Sequence, residues 1–441
     1  MTPELVALLV AIVGGIAVTR LVDGDARGTR IGGEAILFGL AVCAALTALT
    51  WSRWAVIAIA LLLCGVRRPW RRFESAGTAG ALHIVFDAIA ALTIAGYAKF
   101  ATAATPAEFD FLGEWGLKAR VFFVARGFDW DFLEHALNRL VHPDYPPLVP
   151  LTFDYLELVR GEWNGAALGL VNVAFAAALL LIVRRVALEE SGSSAAGAFV
   201  AAALAPLAAV PWIGTAEGAF VAYACAALLL IRGGSMPAGA LLLGLAGSAK
   251  NEGVALLVAV AIGLVAARRA RDVVRLWPAV AVLLPWWILR TAHSFANDLV
   301  AGNAVNRALA RLRDPLPLLS AFFGTAFGRP WFWIALAAGA VIVARELWRD
   351  ERFIVAAVAA QLAAYMAAYV VTPYDAATMM RGSAERLMAH LAPPLAYVVL
   401  IRLCVVVGSE HASASSDSRG GGVRRHCRGH VPAALRADAL R

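Results

Sequence analysis

The chain has 441 residues, 61% of them hydrophobic and 16% charged, with a mean hydropathy of +0.72. A soluble chain of this length would carry about a quarter charged residues, so a soluble globular enzyme is excluded. The net charge of +8 comes almost wholly from Arg, and these residues cluster between apolar runs, which points to membrane topology rather than to nucleic acid.

A helix needs roughly 20 apolar residues to cross a hydrocarbon core about 30 Å thick. The runs here are Ala- and Leu-rich and do not alternate, so helices are expected, not barrel strands. About thirteen spans are predicted, near 4–20, 35–50, 54–66, 80–98, 164–185, 194–210, 218–231, 238–249, 252–267, 277–290, 330–345, 353–371 and 386–405. The first has no basic segment before it and no small-residue cleavage site after it, and is expected to be retained. The fold class is therefore all-α, a polytopic transmembrane bundle over 1–405. A Ser/Gly/Arg/His-rich tail at 409–441 cannot bury a core and is expected to be disordered and cytoplasmic. Five cysteines with no CxxC spacing point to neither a metal site nor a disulfide framework.

Orientation follows from Arg. Thirteen spans put Arg67, Arg68, Arg71 and Arg72 on the same side as Arg184 and Arg185, as Arg268, Arg269, Arg271 and Arg275, and as Arg345, Arg349 and Arg352. That side is assigned as cytoplasmic. On the opposite side fall a loop at 99–163 and the segments PWIGTAEG, AKNEG, WILRTAHS and TPYDAATMMRGSAER. A transporter would concentrate polar groups near the midplane. Polarity gathered at one surface suits an enzyme working at the outer interface.

Within the loop, Asp110 is flanked by Phe109, Phe111 and Trp115, an apolar setting that suits a carboxyl to general-base work. In an ordinary loop the same residue would be a solvated Asp. The stretch DWDFLEHALNRLV has apolar residues at helical spacing and predicts an amphipathic helix, lying in the interface or on the outer domain itself. Pro143, Pro146, Pro147 and Pro150 then predict a rigid, extended segment that holds His142, Asp144 and Tyr145 in fixed directions. Lys250 and Glu252 share one short outer turn, and Arg290 and Arg386 end spans on the same side. Several cations at one surface suit an anionic headgroup such as a lipid phosphate, with Glu252 orienting the cation. Inside the fourth span, His83 and Asp87 are spaced to form an i,i+4 pair, most simply a structural one.

Four motifs, in order, give the chain a family likeness. DFLGEWGLKAR, HPDYPPLVP, AKNEG and TPYDAATMMRGSAERLMAHLAPP together span about 80–405. In these the chain resembles the GT-C superfamily of polytopic glycosyltransferases, near its bacterial protein-mannosyltransferase-like branch. The family's Gly-Tyr-Ala-Asp stretch is replaced here by GTAEGAFVAYACAALL, which leaves open whether Glu217 stands in for its Asp. The resemblance implies an extracytoplasmic catalytic loop at 99–163 and inverting transfer of a sugar from a polyprenyl-phosphate donor to an acceptor hydroxyl on a glycan, lipid or protein. It implies Asp110 as the base. It also implies His142, Asp144, Tyr145, Lys250, Glu252, Arg290, Asp375 and Arg386 as substrate-binding residues, at the outer face of a bacterial cytoplasmic membrane. No metal ligands are assigned, and a divalent metal, Mg or Mn, is the one cofactor the resemblance leaves open. Two rival readings are a transporter or lipid flippase, which would draw on His83 and Asp87, and a non-catalytic relative serving assembly, in which Asp110 would be dispensable.

Overall fold

The computed structural model describes residues 2–22, 32–63, 81–295 and 303–417, with side chains to 406. Among these residues every regular element is helical. The chain opens with α1 (Pro3–Val22), α2 (Gly33–Thr50), α3 (Arg53–Leu63) and α4 (Leu82–Ala101). The loop that follows carries α5 (Gly116–Ala125), α6 (Trp130–Glu134) and α7 (Leu148–Arg160). A second run of apolar helices comprises α8 (Gly169–Ser191), α9 (Ser194–Ala208), α10 (Glu217–Arg232), α11 (Met236–Ala249), α12 (Glu252–Ala266) and α13 (Trp277–Ala292). After it come α14 (Ala304–Arg313), α15 (Leu316–Thr325), α16 (Pro330–Ile342), α17 (Ala344–Asp350), α18 (Arg352–Val371) and α19 (Ala376–Asp417).

Each of the thirteen expected runs contains a helix, but not each helix is long enough to span. Seven pass on length and apolarity: α1, α2, α4, α18, α19 as far as Val406, and α8 and α13 when each is taken with the 3₁₀ segment before it, as Gly165–Ser191 and Ala270–Ala292. An eighth is possible if α15 and α16, bent by 97° at a short break, count as one broken span. The apolar α3, α9, α11 and α12 have 11 to 15 residues, which at 1.5 Å per residue cover roughly 16–23 Å, short of a hydrocarbon core. These long apolar helices mark a helical membrane protein.

Residues 1–403 form one unit, and 404–441 a second, in which α19 continues as helix to Asp417. The remainder of the expected disordered tail, like Arg67, Arg68, Arg71 and Arg72, lies outside the described residues.

Charge pairs order the two ends of the first unit. At one end Glu351, fully buried, accepts from both Arg232 and Arg402, and Arg232 also holds Glu190 at 2.6 Å. Arg269 donates to the Ile231 carbonyl at 3.0 Å. The C-terminal ends of α8 and α10 and the start of α18 therefore meet, and the Arg184, Arg269 and Arg352 neighbourhoods share that end. Asp87 belongs there too. Its carboxylate takes a bidentate hold from Arg184, at 2.6 and 2.7 Å.

At the other end the loop folds onto the bundle. Phe122, Leu133, Trp286 and Phe295 form an aromatic core between α5, α6 and the end of α13. Trp130 stacks on His293 with centroids 4.0 Å apart. The expected amphipathic helix over DWDFLEHALNRLV is broken in two. His135 adopts an extended conformation (ψ 125°), separating α6 from a 3₁₀ turn over Ala136–Val141.

The proline segment also divides. His142 to Pro147 is non-helical, and His142 takes the left-handed conformation (φ 51°) that ends the 3₁₀ turn. Pro150, by contrast, is the third residue of α7, where the backbone N–H has no intrahelical partner to lose. α7 was not expected. It is buried from Leu148 to Val159 among α1, α2, α5 and α11.

Candidate functional site

Asp110 begins a π-helical turn, Phe111–Trp115, that runs directly into α5. The turn is seated by Gly214, whose φ of +80° is open to glycine and whose Cβ, if present, would stand 2.5 Å from the Phe111 ring. The Gly214 N–H is held by Asn172 Oδ1 at 3.1 Å. The GTAEG segment therefore lies against the Asp110 turn and carries Glu217, the first residue of α10, beneath it.

Arg386 on α19 bonds to Asp110 and lies 3.3 Å from Glu217. Lys250 lies 3.0 Å from Glu217 on one side and 3.0 Å from Glu252 on the other. Its position depends on a tight reversal between α11 and α12, where a Cβ on Gly253 would meet the Gly247 nitrogen at 2.3 Å. Glu217 is 1% exposed, whereas the Asp110 side chain keeps 28% of its surface open. A buried carboxylate with two cations thus sits behind an accessible one.

Behind this cluster Tyr365 meets His390 Nδ1 at 3.1 Å, and the His390 ring packs on Phe220 at 4.5 Å. Gln361 donates to the Glu252 carbonyl. Glu217 Oε2, Glu252 Oε2, Gln361 Oε1 and His390 Nε2 are all buried without a hydrogen-bond partner. Such a set of polar atoms calls for water or a ligand.

A second group adjoins the first through Glu114. Lys118 donates to the His142 carbonyl at 2.7 Å and lies 3.6 Å from Glu114. Asp144 accepts from Asn251, next to Lys250, at 2.9 Å. The Tyr145 ring stands edge-on to Trp115, 5.6 Å away. Burial pushes the Glu114 carboxyl up to about 8, with Lys118 opposing and Asp110 adding to the rise. Burial likewise raises Asp144, against the pull of Arg290, His142 and Lys118.

The raised Glu114 carboxyl ties stability to pH. A carboxyl raised in the native state binds a proton that the unfolded chain releases, so stability falls as pH rises from its ordinary value of 4.5 to about 8. Thermal unfolding in detergent is expected to show a lower melting temperature at pH 8.5 than at pH 6. Glu114→Gln should flatten that slope, and an unchanged slope would show that Glu114 is ionised throughout.

The residues expected from sequence are therefore placed as follows. Asp110, Lys250, Glu252 and Arg386 meet in one cluster, with Glu217 at its centre. Asp144, Tyr145 and the His142 backbone form the adjoining group, and Arg290 faces Asp144 while donating to the Phe295 carbonyl at 3.0 Å. Asp375 is not brought to either group. It accepts from the Thr378 N–H at 2.7 Å in the first turn of α19, and its charged neighbours are Arg381 and Arg311. Asp375→Ala should accordingly lower melting temperature slightly and leave any activity of the Asp110 cluster intact, which a paired melt and assay would check.

Glu114, Lys118, Asn251, Gln361, Tyr365 and His390 were not anticipated. One signal was present: Lys occurs three times in this Arg-rich chain, and two of the three, Lys118 and Lys250, are buried here. A compact ammonium fits a buried position that a guanidinium fork would overfill. Among the described residues no group of three His, Cys, Asp or Glu comes together as a metal site. In the main cluster Asp110, Glu217 and Glu252 share two cations, Lys250 and Arg386.

No family model, curated protein or solved structure matches this chain.

Proposed function

We propose that the chain is a membrane glycosyltransferase of the GT-C type. On this reading it has about thirteen spans, lies in a bacterial cytoplasmic membrane and works on the extracytoplasmic side. The sugar comes from a polyprenyl-phosphate donor and goes to an acceptor hydroxyl. The observation that carries the reading is the pairing of accessible Asp110 with Arg386, backed by the buried Glu217–Lys250 pair.

The chemistry follows from those groups. The acceptor oxygen attacks the anomeric carbon as the bond from that carbon to the phosphate oxygen breaks, with inversion. Asp110 takes the acceptor proton, and the phosphate leaves as an anion. Asp110 must turn its carboxylate to the acceptor at that moment. Arg386 is then released to the phosphate, with Glu217 still 3.3 Å away to steady it. Lys250 supplies the second positive charge where the leaving group develops its own. A shallow, mostly apolar cleft lined by Leu207, Trp212, Phe332, Trp333, Glu385 and Met388 reaches the residue before Arg386 and has the character a prenyl chain requires.

The same ion pair supports a second reading. Asp110 and Arg386 tie the loop to α19, and a non-catalytic assembly protein would use the pair for that alone. Membranes supplied with labelled polyprenyl-phosphate sugars separate the two: transfer in the wild type that is lost in Asp110→Asn supports the enzyme, and absence of transfer with normal donor binding supports the scaffold.

A further inference from the structure

The turn that carries Asp110 is rimmed by bulky apolar side chains that face outward. Phe109 is 84% exposed and Leu112 59%. The 3₁₀ turn Ala136–Val141 packs against this π-helical turn and adds Leu137 at 83% and Leu140 at 77%. A 3₁₀ helix eclipses positions i and i+3, so these two leucines project together. Arg139, between them, is also exposed. Four exposed large hydrophobic residues around one accessible carboxylate are not an ordinary soluble-loop surface.

An acceptor hydroxyl that approaches Asp110 from this side meets the rim. A peptide or free glycan arriving from water would leave Phe109, Leu137 and Leu140 wet. A hydrocarbon chain would cover them, and Arg139, with its apolar stem along the same surface, would meet an anionic headgroup. The surface is also tethered near the bilayer. Asp110 lies nine residues beyond the end of α4, a reach of at most roughly 30 Å, and α4 itself exposes Leu82, Ile84, Val85, Leu92 and Phe100.

We infer that the rim of Phe109, Leu112, Leu137 and Leu140 is the docking surface for the acceptor, and that the acceptor is a lipid-borne hydroxyl of the outer leaflet, carried on an anionic headgroup. This rests on the glycosyltransferase reading and names its acceptor class.

Alkyl glycosides with one headgroup and increasing chain length test it in reconstituted enzyme. The dodecyl glycoside should exceed the methyl glycoside in kcat/KM by at least roughly tenfold, because each buried methylene adds favourable transfer energy. In Leu137→Ser/Leu140→Ser that ratio should collapse towards one. A flat chain-length series in the wild type, a Ser/Thr peptide as the better acceptor, or a steep series unchanged in the double variant would each overturn the inference.

A second measurement needs no turnover. A phosphatidylglycerol analogue with a diazirine in its acyl chain should photolabel peptides spanning 105–142 in wild type and equally in Asp110→Asn. Labelling without transfer would overturn the enzyme reading while placing the rim against lipid, and transfer without labelling would overturn the rim alone.

Discussion

Asp110→Asn is expected to reduce sugar transfer by about 10²–10⁴-fold, the range typical of losing a positioned general base, while donor binding changes far less. The amide keeps the shape of the side chain but cannot accept a proton at neutral pH. It also weakens the bond to Arg386, freeing that guanidinium for the donor phosphate. The expected result is thus a fall in kcat with an unchanged or lower KM for the donor, measured with labelled polyprenyl-phosphate sugars. Asp87→Asn is the control, because Asp87 is held by Arg184 at the opposite end of the bundle. Equal transfer in wild type and Asp110→Asn would remove Asp110 from the mechanism.

Lys250→Met is expected to be the most destabilising single change at the site. The methionine fits the volume, but it leaves Glu217 buried with Arg386 as its remaining close cation and takes from Glu252 the ammonium at 3.0 Å. Breaking a buried pair from one side costs about 3–5 kcal/mol. The variant should therefore melt well below wild type and be recovered in low yield. Glu217→Gln placed on top of Lys250→Met should restore part of the loss, since the stranded charge goes with it. A double variant no more stable than Lys250→Met would show that Glu217 stays satisfied without the lysine. Chemistry and stability separate here: the double variant is expected to fold better than the single one and still transfer poorly.

Much of the bundle was legible because apolar run length maps directly onto helices, and three of the Arg clusters expected on one side lie near one end of the bundle. The count of spans was not legible to the same degree. A run such as 238–249 is apolar throughout, but its helix covers too little height to cross on its own. The proline segment misled for a specific reason. Pro150 reads as a helix breaker in sequence, yet in the first turn of α7 it breaks nothing. α7 had its own signature in Leu148, Leu151, Tyr155 and Leu158 at helical spacing, masked by the prolines before it.

The site was legible in its parts and not in its pairing. Lys250 and Glu252 announced themselves as a charged turn between apolar runs. That Glu217 would stand between Lys250 and Arg386 required three segments, around 217, 250 and 386, to converge. The bond from Arg386 to Asp110 joins residues 276 positions apart, which no local pattern can encode. Asp375 shows the converse: it stands in the expected motif, but a short side chain at a helix start is drawn to the nearest free N–H.

α19 carries Arg386 at one end of the bundle and Arg402 at the other, sixteen residues or roughly 24 Å apart along the axis. Between them stand Pro393 and Pro394, which remove backbone hydrogen bonds from the middle of the helix. Arg402 is clamped by Glu351 and Glu190. The helix is thus a ruler fixed at its far end, with a soft joint partway along. How far Arg386 reaches towards Asp110 is set by an anchor at the opposite end of the bundle, and the joint gives it room to swing without the ruler sliding.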